Sequence, residues 1–378
     1  MTAEITPRDP SADRLLSIDA LRGFDMFWIM GAEHIVLEWA KWGNWPGKNW
    51  IQEQLEHAAW EGFHFYDLIF PLFLFVVGAV LPFSLGKLRE QGAPASALYW
   101  RIVRRTVLLF ILGIFYNNYR GVAQLDNIDE LRIAGVLQRI ALCYFFAALI
   151  VMHCRARGQA LAAAVLLLGY WALLAYIPAP GGVPGDFSKE KNLAGYVDRH
   201  FLPGKIFDEY YGYGDNEGIL STIPAVGTTL LGALAGGLLR SPRSSAVKVI
   251  GLVLAGICSL VAGTVWGWYF PVIKNIWTSS FVLVAGGWSL LLLALFYWVI
   301  DVLRFRAWSF FFVVIGANAI TIYLLPRIVD FHKLTRFFLG GLLDRVGSFE
   351  VVLDPILVFA VEWLFLLFLY RKRLFLRV

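Results

Sequence analysis

Long apolar stretches separated by polar connections run along the whole chain. They recur at the length of about 20 residues that a helix needs to cross about 30 Å of hydrocarbon at 1.5 Å per residue. The pattern predicts an all-α, polytopic integral membrane protein, with about ten transmembrane helices in a single domain over residues 1–378. The predicted spans are 16–40, 63–86, 98–117, 132–153, 158–177, 218–240, 245–268, 278–300, 307–329 and 351–370.

Arginine and lysine crowd into alternate, short connections and into the C-terminal tail, RKRLFLR. Because such residues accumulate on the cytoplasmic side of a membrane, both termini are predicted to be cytoplasmic. The long connections, 41–62 and 178–217, then lie on the outer face. Long loops in a compact protein are usually functional or disordered, so we expect these two to cover an active site.

The composition supports a membrane protein and argues against nucleic-acid binding. Hydrophobic residues make up 58% of the chain and charged residues 16%, whereas a soluble domain carries about 25% charged residues. The net charge of +5 is explained by the basic connections. The cysteines, Cys143, Cys154 and Cys258, have no metal-like spacing and are expected to be small buried side chains; no metal is predicted. The glycine patches ALAGG and VAGG indicate close helix packing.

The start of the second predicted span carries the strongest chemical signal. His57 lies in a Trp-rich polar segment, and Asp67 lies ten residues later within an apolar run. A carboxylate inside a membrane span costs about 2.5–3.5 kcal/mol, so it usually has a task. On one unbroken helix the two side chains would be about 15 Å apart. Gly62 offers a break that lets the segment fold back, and Glu61 is an alternative carboxylate partner for His57.

Polar residues also occur in the first span. Asp19, Arg22 and Glu33 fall on one narrow helical arc, which must face protein or water. Asp19 and Arg22 are either a structural ion pair or part of a polar lining for a cofactor that enters from the inside. Glu33 and His34 lie near the outer end, where they can belong to the same pocket as His57.

Further polar candidates lie in or beside the later spans. Arg139 can hold a carboxylate or phosphate, or it can pair with an acid on a neighbouring helix. The loop residues Tyr210, Tyr211 and Tyr213, next to several carboxylates, suit a sugar or a cationic amine, but they also fit an ordinary interfacial aromatic belt. The remaining candidates are Asp208, Glu209, Asp215, Glu217, Ser221, Lys274, Asn275, Trp277, Asn318, Tyr323 and Glu362.

Seven ordered landmarks resemble the heparan-α-glucosaminide N-acetyltransferase family, including its bacterial relatives. The resemblance covers nearly all of the chain, and the landmarks read SIDALRG, HAAWEGFHFYDLIFPLFLFVVG, RIAGVLQRIALCYF, AGYVDRH, DNEGILSTI, IKNIWTSSF and GANAITIYL. The resemblance implies that acetyl-CoA on the cytosolic side supplies an acetyl group to the amine of a glucosamine on the other side. It also implies a homodimer in a bacterial inner membrane.

The resemblance assigns roles to two residues. The family's essential histidine, in the motif HAxWxG, corresponds to His57, and the aspartate of its DLxFP motif corresponds to Asp67. Glu33 stands where the eukaryotic members carry an asparagine. The eukaryotic members also have an N-terminal luminal region with an extra span, which this sequence does not show. A small amino sugar is therefore expected as acceptor, rather than heparan sulfate.

The residues and the resemblance together predict a transmembrane acyltransferase with His57 and Asp67 as catalytic residues. The predicted substrate-binding residues are Glu33, His34, Glu61, Asp215, Glu217, Asn275 and Trp277, and the predicted cofactor-binding residues are Arg22, Arg139 and Asn318. Arg101, Arg104 and Arg105 can meet nucleotide phosphates or simply reflect the positive-inside bias. A metabolite transporter that uses Asp67, Arg139 and Glu362 is an alternative, as is an O-acyltransferase that acts on an envelope glycan.

Overall fold

A computed structural model describes residues 15–119, 130–207 and 211–376, and these residues fold into helices without any strand. The first half contains α1 (Leu16–Phe27), α2 (Glu33–Trp42), α3 (Lys48–Leu55), α4 (Ile69–Glu90), α5 (Ala95–Asn118), α6 (Val136–His153) and α7 (Ala156–Tyr176). The second half contains α8 (Leu193–Phe201), α9 (Thr222–Arg240), α10 (Ser245–Gly267), α11 (Ser279–Phe296), α12 (Ser309–Ala317), α13 (Ala319–Leu324), α14 (Phe331–Leu343) and α15 (Glu350–Arg371). The all-α class is confirmed.

Seven helices in the described part of the chain are long and apolar enough to cross a membrane, which confirms a polytopic membrane protein. An eighth span forms if α12 and the segment Ala319–Arg327, bent by 70° at Asn318, count as one. Helices also occupy the predicted spans 16–40 and 98–117. In the first of these, a π-helical segment at Trp28–Ala32 separates α1 from α2. In the second, α5 carries three charged residues, Arg101, Arg104 and Arg105. The count of ten and the positions of the termini stay predictions.

Close backbone contact between α4 and α9 forms the centre of the bundle. A Cβ atom added to Gly78 would lie 1.9 Å from the carbonyl oxygen of Thr229, and one added to Gly232 would lie 1.9 Å from that of Phe75. Only glycine permits this approach. Gly236 of the ALAGG patch and Gly287 of the VAGG patch make similar contacts with α4 and α10, so the prediction of close helix packing is confirmed.

Replacing Gly232 with alanine is therefore expected to destabilise the protein by about 1–3 kcal/mol, the usual cost of overpacking a tight contact. The measurement is the melting temperature of the purified protein in detergent. Gly237→Ala is the matched control on the same helix, because a Cβ there meets nothing within 4 Å. An equal effect of the two substitutions would contradict the packing argument.

The two long connections contain helices that the apolar pattern does not show. Helix α3 lies within 41–62, and α8 lies within 178–217. Both are too short and too polar to resemble a span. That the two connections cover the active site stays a prediction.

Candidate active site

Residues 56–64 form an irregular segment that reverses the chain ahead of α4. Gly62 has a φ of 127°, a conformation that other residues rarely adopt. Its N–H donates to the carbonyl of Val272 at 2.9 Å, and Glu61 and Ile273 form an isolated antiparallel bridge. The break expected at Gly62 is therefore present, and it attaches the His57 segment to the residues that precede α11.

Asp67 accepts hydrogen bonds from the segment that folds back over it. It lies in a 3-10 turn at Phe65–Leu68 and is fully buried. Its Oδ1 is 2.9 Å from His57 Nδ1, and its Oδ2 accepts from the N–H groups of Ala58 at 3.2 Å and His64 at 3.0 Å. The carboxylate thus fixes the orientation of the imidazole and the course of the backbone around it. Asp67, not Glu61, is the partner of His57.

Lys274 completes a three-residue cluster. Its Nζ is 3.3 Å from Asp67 Oδ1, and it is 2.8 Å and 3.0 Å from the two ring nitrogens of His57. An amine nearly equidistant from both nitrogens of one ring must lie over the face of that ring. Burial lowers the pKa of Lys274, and the Asp67 carboxylate opposes this shift. Lys274 can balance the buried charge of Asp67, so this charge does not require His57 to be an imidazolium cation.

His57 faces a cavity of about 460 Å³, which we call the His57 cavity. The ring of Tyr66 lies 5.1 Å from the imidazole, centre to centre. The other polar and aromatic residues in the lining include Tyr116, Asn216, Glu217, Lys274, Trp277 and Tyr323. Trp277 has a left-handed backbone with φ 53° just before α11 begins. The cavity thus places the imidazole, a lysine and several hydrogen-bonding groups around one internal space.

A second cavity of about 260 Å³, the Arg101 cavity, is lined by Arg22, Arg101 and Arg105. It shares Phe73, Leu137, Ile140, Ala319 and Ile320 with the His57 cavity, so these five residues form a common wall between the two spaces. Arg101 and Arg105 lie near the beginning of α5, whereas Tyr116 in the His57 cavity lies near its end. The two adjacent cavities therefore lie toward opposite ends of α5.

A network of charges fixes the loop that leads into α9. Arg132 donates to both oxygens of Asp215, at 2.7 and 3.1 Å, and to Glu217 Oε2 at 2.9 Å. Asp215 also accepts from the N–H groups of Phe207 and Glu217. The carboxylate of Asp215 is buried and bound to partners inside the protein, and its role in substrate binding stays a prediction.

Two other acids near this loop, Asp198 and Glu217, have raised pKa values. Burial raises the pKa of Asp198 to about 6, although the N–H groups of Ile219 and Asp215 oppose the shift. Burial also raises the pKa of Glu217, and the adjacent Asp215 adds to the rise. Glu217 remains at the edge of the His57 cavity, where a substrate can meet it.

Arg139 lies elsewhere than predicted. Its guanidinium lies 5.0 Å above the Trp277 ring and donates to Ser221 Oγ and to the carbonyl of Gly218. It lines neither the His57 cavity nor the Arg101 cavity but a third one, between α5, α6, α7 and α9. Its side chain is directed toward the residues that precede α9, and its role in cofactor binding stays a prediction.

The remaining predicted residues are dispersed. His34 and Glu61 are exposed, Glu33 is half-buried and Asn275 is buried, and none of the four lines the described cavities. Arg22 lines the Arg101 cavity, donating to Asp19 and to the Gly316 carbonyl. Asn318 lies in the break between α12 and α13, between the lining residues Ala317 and Ala319. The predicted loop residues Asp208, Glu209 and Tyr210 lie outside the described residues.

Sequence reasoning named Lys274 only as a polar neighbour of α11 and missed Tyr66, Tyr116 and Arg132 as parts of the site. The available signal for Lys274 is its position in the landmark IKNIWTSSF, directly after the apolar residues Val272 and Ile273. Tyr66 directly precedes Asp67. Nothing in the local sequence distinguishes Arg132 or Tyr116 from other residues near a membrane surface.

The fold and the site define a polytopic membrane protein with a His–Asp–Lys cluster beside an internal cavity that shares a wall with a second, arginine-lined cavity. A family described as a domain of unknown function (DUF5009) matches residues 14–127. The human heparan-alpha-glucosaminide N-acetyltransferase is 28% identical over 97% of this chain and 60% of its own length. The mouse protein of the same name is 25% identical over the whole chain and 63% of its own length.

The chain is homologous to these N-acetyltransferases, which confirms the resemblance seen in the landmarks. It spans about three-fifths of the length of the curated relatives that it matches. His57, Asp67 and Lys274 all lie within the matched part, because the match covers nearly the whole of this chain.

Proposed function

We propose that the protein is a transmembrane acyltransferase that moves an acetyl group from acetyl-CoA to the amine of a glucosamine-type sugar. The observation that supports this most strongly is that the His57 and Arg101 cavities lie next to each other and share a wall of five residues. One space offers an imidazole to a reacting centre, and the other offers guanidinium groups to phosphates. A long, bipartite donor such as acetyl-CoA needs this combination.

The dimensions of the path suit the donor. Along α4 the lining of the two cavities extends from Ile69 to Val80, which corresponds to about 17 Å at 1.5 Å per residue. The phosphates of CoA would lie near Arg101 and Arg105, because guanidinium groups recognise phosphate oxygens well. The pantetheine arm would follow the shared residues Phe73, Leu137 and Ile140 and present the thioester near His57.

The chemistry follows from the groups around His57. The acceptor nitrogen forms a bond to the acetyl carbon while the bond between that carbon and the CoA sulfur breaks. The imidazole accepts the proton that the amine loses and returns a proton to the departing thiolate. Asp67 holds the proton on Nδ1, so Nε2 is free to act as the base. Lys274 is the nearest cation to the oxyanion that develops on the carbonyl. These three residues supply the groups for direct transfer of the acetyl group from acetyl-CoA to the amine when both substrates are bound together.

The positive-inside pattern places the Arg101 end in the cytosol, where acetyl-CoA is made, and the His57 end at the outer face. The protein would then act in a bacterial inner membrane, on a small amino sugar outside. The homodimer implied by the relatives remains part of this proposal. Glu217 and Trp277, at the edge of the His57 cavity, are the predicted acceptor-binding residues that the geometry supports.

The test is a transfer assay in proteoliposomes. Acetyl-CoA labelled in the acetyl group is supplied on one side and glucosamine on the other, and labelled N-acetylglucosamine is measured. Product that forms only when both substrates are present supports the proposal. Uptake of labelled glucosamine without acetyl-CoA, and no acetylated product, would instead indicate a transporter. Acetylation of envelope hydroxyl groups alone would indicate an O-acyltransferase.

A single substitution tests the donor site. Arg101→Gln is expected to raise KM for acetyl-CoA about tenfold with little change in kcat, since a charge-assisted hydrogen bond contributes about 1.5–3 kcal/mol. Arg104→Gln is the matched control, because Arg104 is on the same helix but does not line the cavity. Equal KM values for the two variants would place the CoA phosphates elsewhere.

A further inference from the structure

The third cavity, here called the Arg139 cavity, has a volume of about 500 Å³ and lies between membrane-spanning helices. Its walls are mostly apolar and come from α5, α6, α7 and α9. Phe146, which is 47% exposed on the outer surface of α6, forms part of its rim. An apolar space that opens between spans toward the bilayer suits a hydrocarbon chain.

Two polar side chains in this apolar wall, Gln138 and Arg139, have atoms without a hydrogen-bond partner among the described residues. Arg139 is almost completely buried, and its Nε and Nη1 have no hydrogen-bond partner among the described residues. Unsatisfied donors of a buried guanidinium are costly, so an oxygen-rich group of a ligand is the natural complement. A hydrocarbon alone would leave these donors unpaired.

The Arg139 cavity borders the proposed active site. Glu217 lines both the Arg139 cavity and the His57 cavity. Arg139 also lies 5.0 Å above the ring of Trp277, which lines the His57 cavity. A ligand can therefore have one end in the bilayer-facing space and the other beside the imidazole, with the carboxylate of Glu217 between them as a partner for an ammonium group.

We propose that the acceptor is an amphiphile: an amino sugar on a hydrocarbon chain, with the chain in the Arg139 cavity, the linkage oxygens at Arg139 and the amine in the His57 cavity. The proposal rests on the acetyltransferase function above and specifies its acceptor. The acceptor enters sideways from the membrane, while the donor enters from the Arg101 end. The two substrates thus reach His57 by separate routes.

The test compares two soluble acceptors, methyl and octyl 2-amino-2-deoxy-β-D-glucopyranoside. The protein is held in nanodiscs, and the octyl compound is kept below its critical micelle concentration. We expect kcat/KM to be at least about tenfold higher for the octyl glycoside, because burying about two methylene groups already supplies that factor. Leu142→Trp, which fills the Arg139 cavity from α6, should reduce the ratio to below about twofold.

Leu168→Trp is the control, because Leu168 is 53% exposed on α7 and does not line the cavity; it should keep the wild-type ratio. Ile150→Trp fills the same cavity and replaces Leu142→Trp if that variant does not fold. Equal kcat/KM for the two glycosides, or an octyl preference that both cavity variants retain, would overturn the amphiphile proposal alone. Acetylation of neither glycoside by the wild-type protein would overturn the acetyltransferase function as well.

Discussion

Replacing His57 with alanine is expected to lower kcat for acetyl transfer by about 10²–10⁴-fold, the usual contribution of a positioned general base. The imidazole is the titratable group best placed to receive the proton of an attacking amine in the His57 cavity, since Lys274 is held against it and Asp67 is fully buried. The measurement is the rate of acetyl transfer to glucosamine in proteoliposomes at saturating acetyl-CoA.

Two controls separate chemistry from folding and binding. His200→Ala removes an exposed imidazole on α8, which stacks on Tyr196 and lies outside the cavities, and it should leave the rate unchanged. His57→Ala itself should still bind CoA with a Kd close to that of the wild-type protein, because the Arg101 cavity is distant from residue 57. A rate for His57→Ala within threefold of wild type would exclude His57 as the base.

The apolar pattern predicted the helices well because each span must satisfy its own backbone hydrogen bonds in lipid. Residue chemistry predicted His57 and Asp67 for a related reason, since a carboxylate in a span is costly and therefore conspicuous. Their contact was harder to foresee. It depends on the left-handed Gly62 and on hydrogen bonds to Val272, more than 200 residues away in the chain.

Lys274, Arg132 and Asp215 show where local sequence reasoning fails. Asp215 resembles a substrate ligand because it is an acid among loop tyrosines, but its carboxylate is engaged by Arg132 from the segment that precedes α6. Lys274 resembles an interfacial anchor, but the bridge between Glu61 and Ile273 brings it onto His57. In both cases a partner distant in sequence decides the role, and a one-dimensional pattern does not contain that information.

Replacing Asp67 with asparagine is expected to lower kcat by at least about 10²-fold and also to destabilise the protein. An amide has one acceptor oxygen where the carboxylate has two, so its NH₂ group must face either His57 or the N–H groups of Ala58 and His64. The substitution also leaves Lys274 without its carboxylate. Removing one partner of a buried pair costs about 3–5 kcal/mol, so the melting temperature should fall clearly.

The double variant Asp67→Asn with Lys274→Met separates these two effects. Because methionine removes the uncompensated charge, the melting temperature should recover a large part of its loss. The rate of acetyl transfer should stay low, since no carboxylate then holds the proton on His57 Nδ1. If the rate of acetyl transfer instead recovered together with the melting temperature, Asp67 would serve only as the counter-ion of Lys274. The orientation of the imidazole would then have to come from the backbone of the folded-back segment at Gly62.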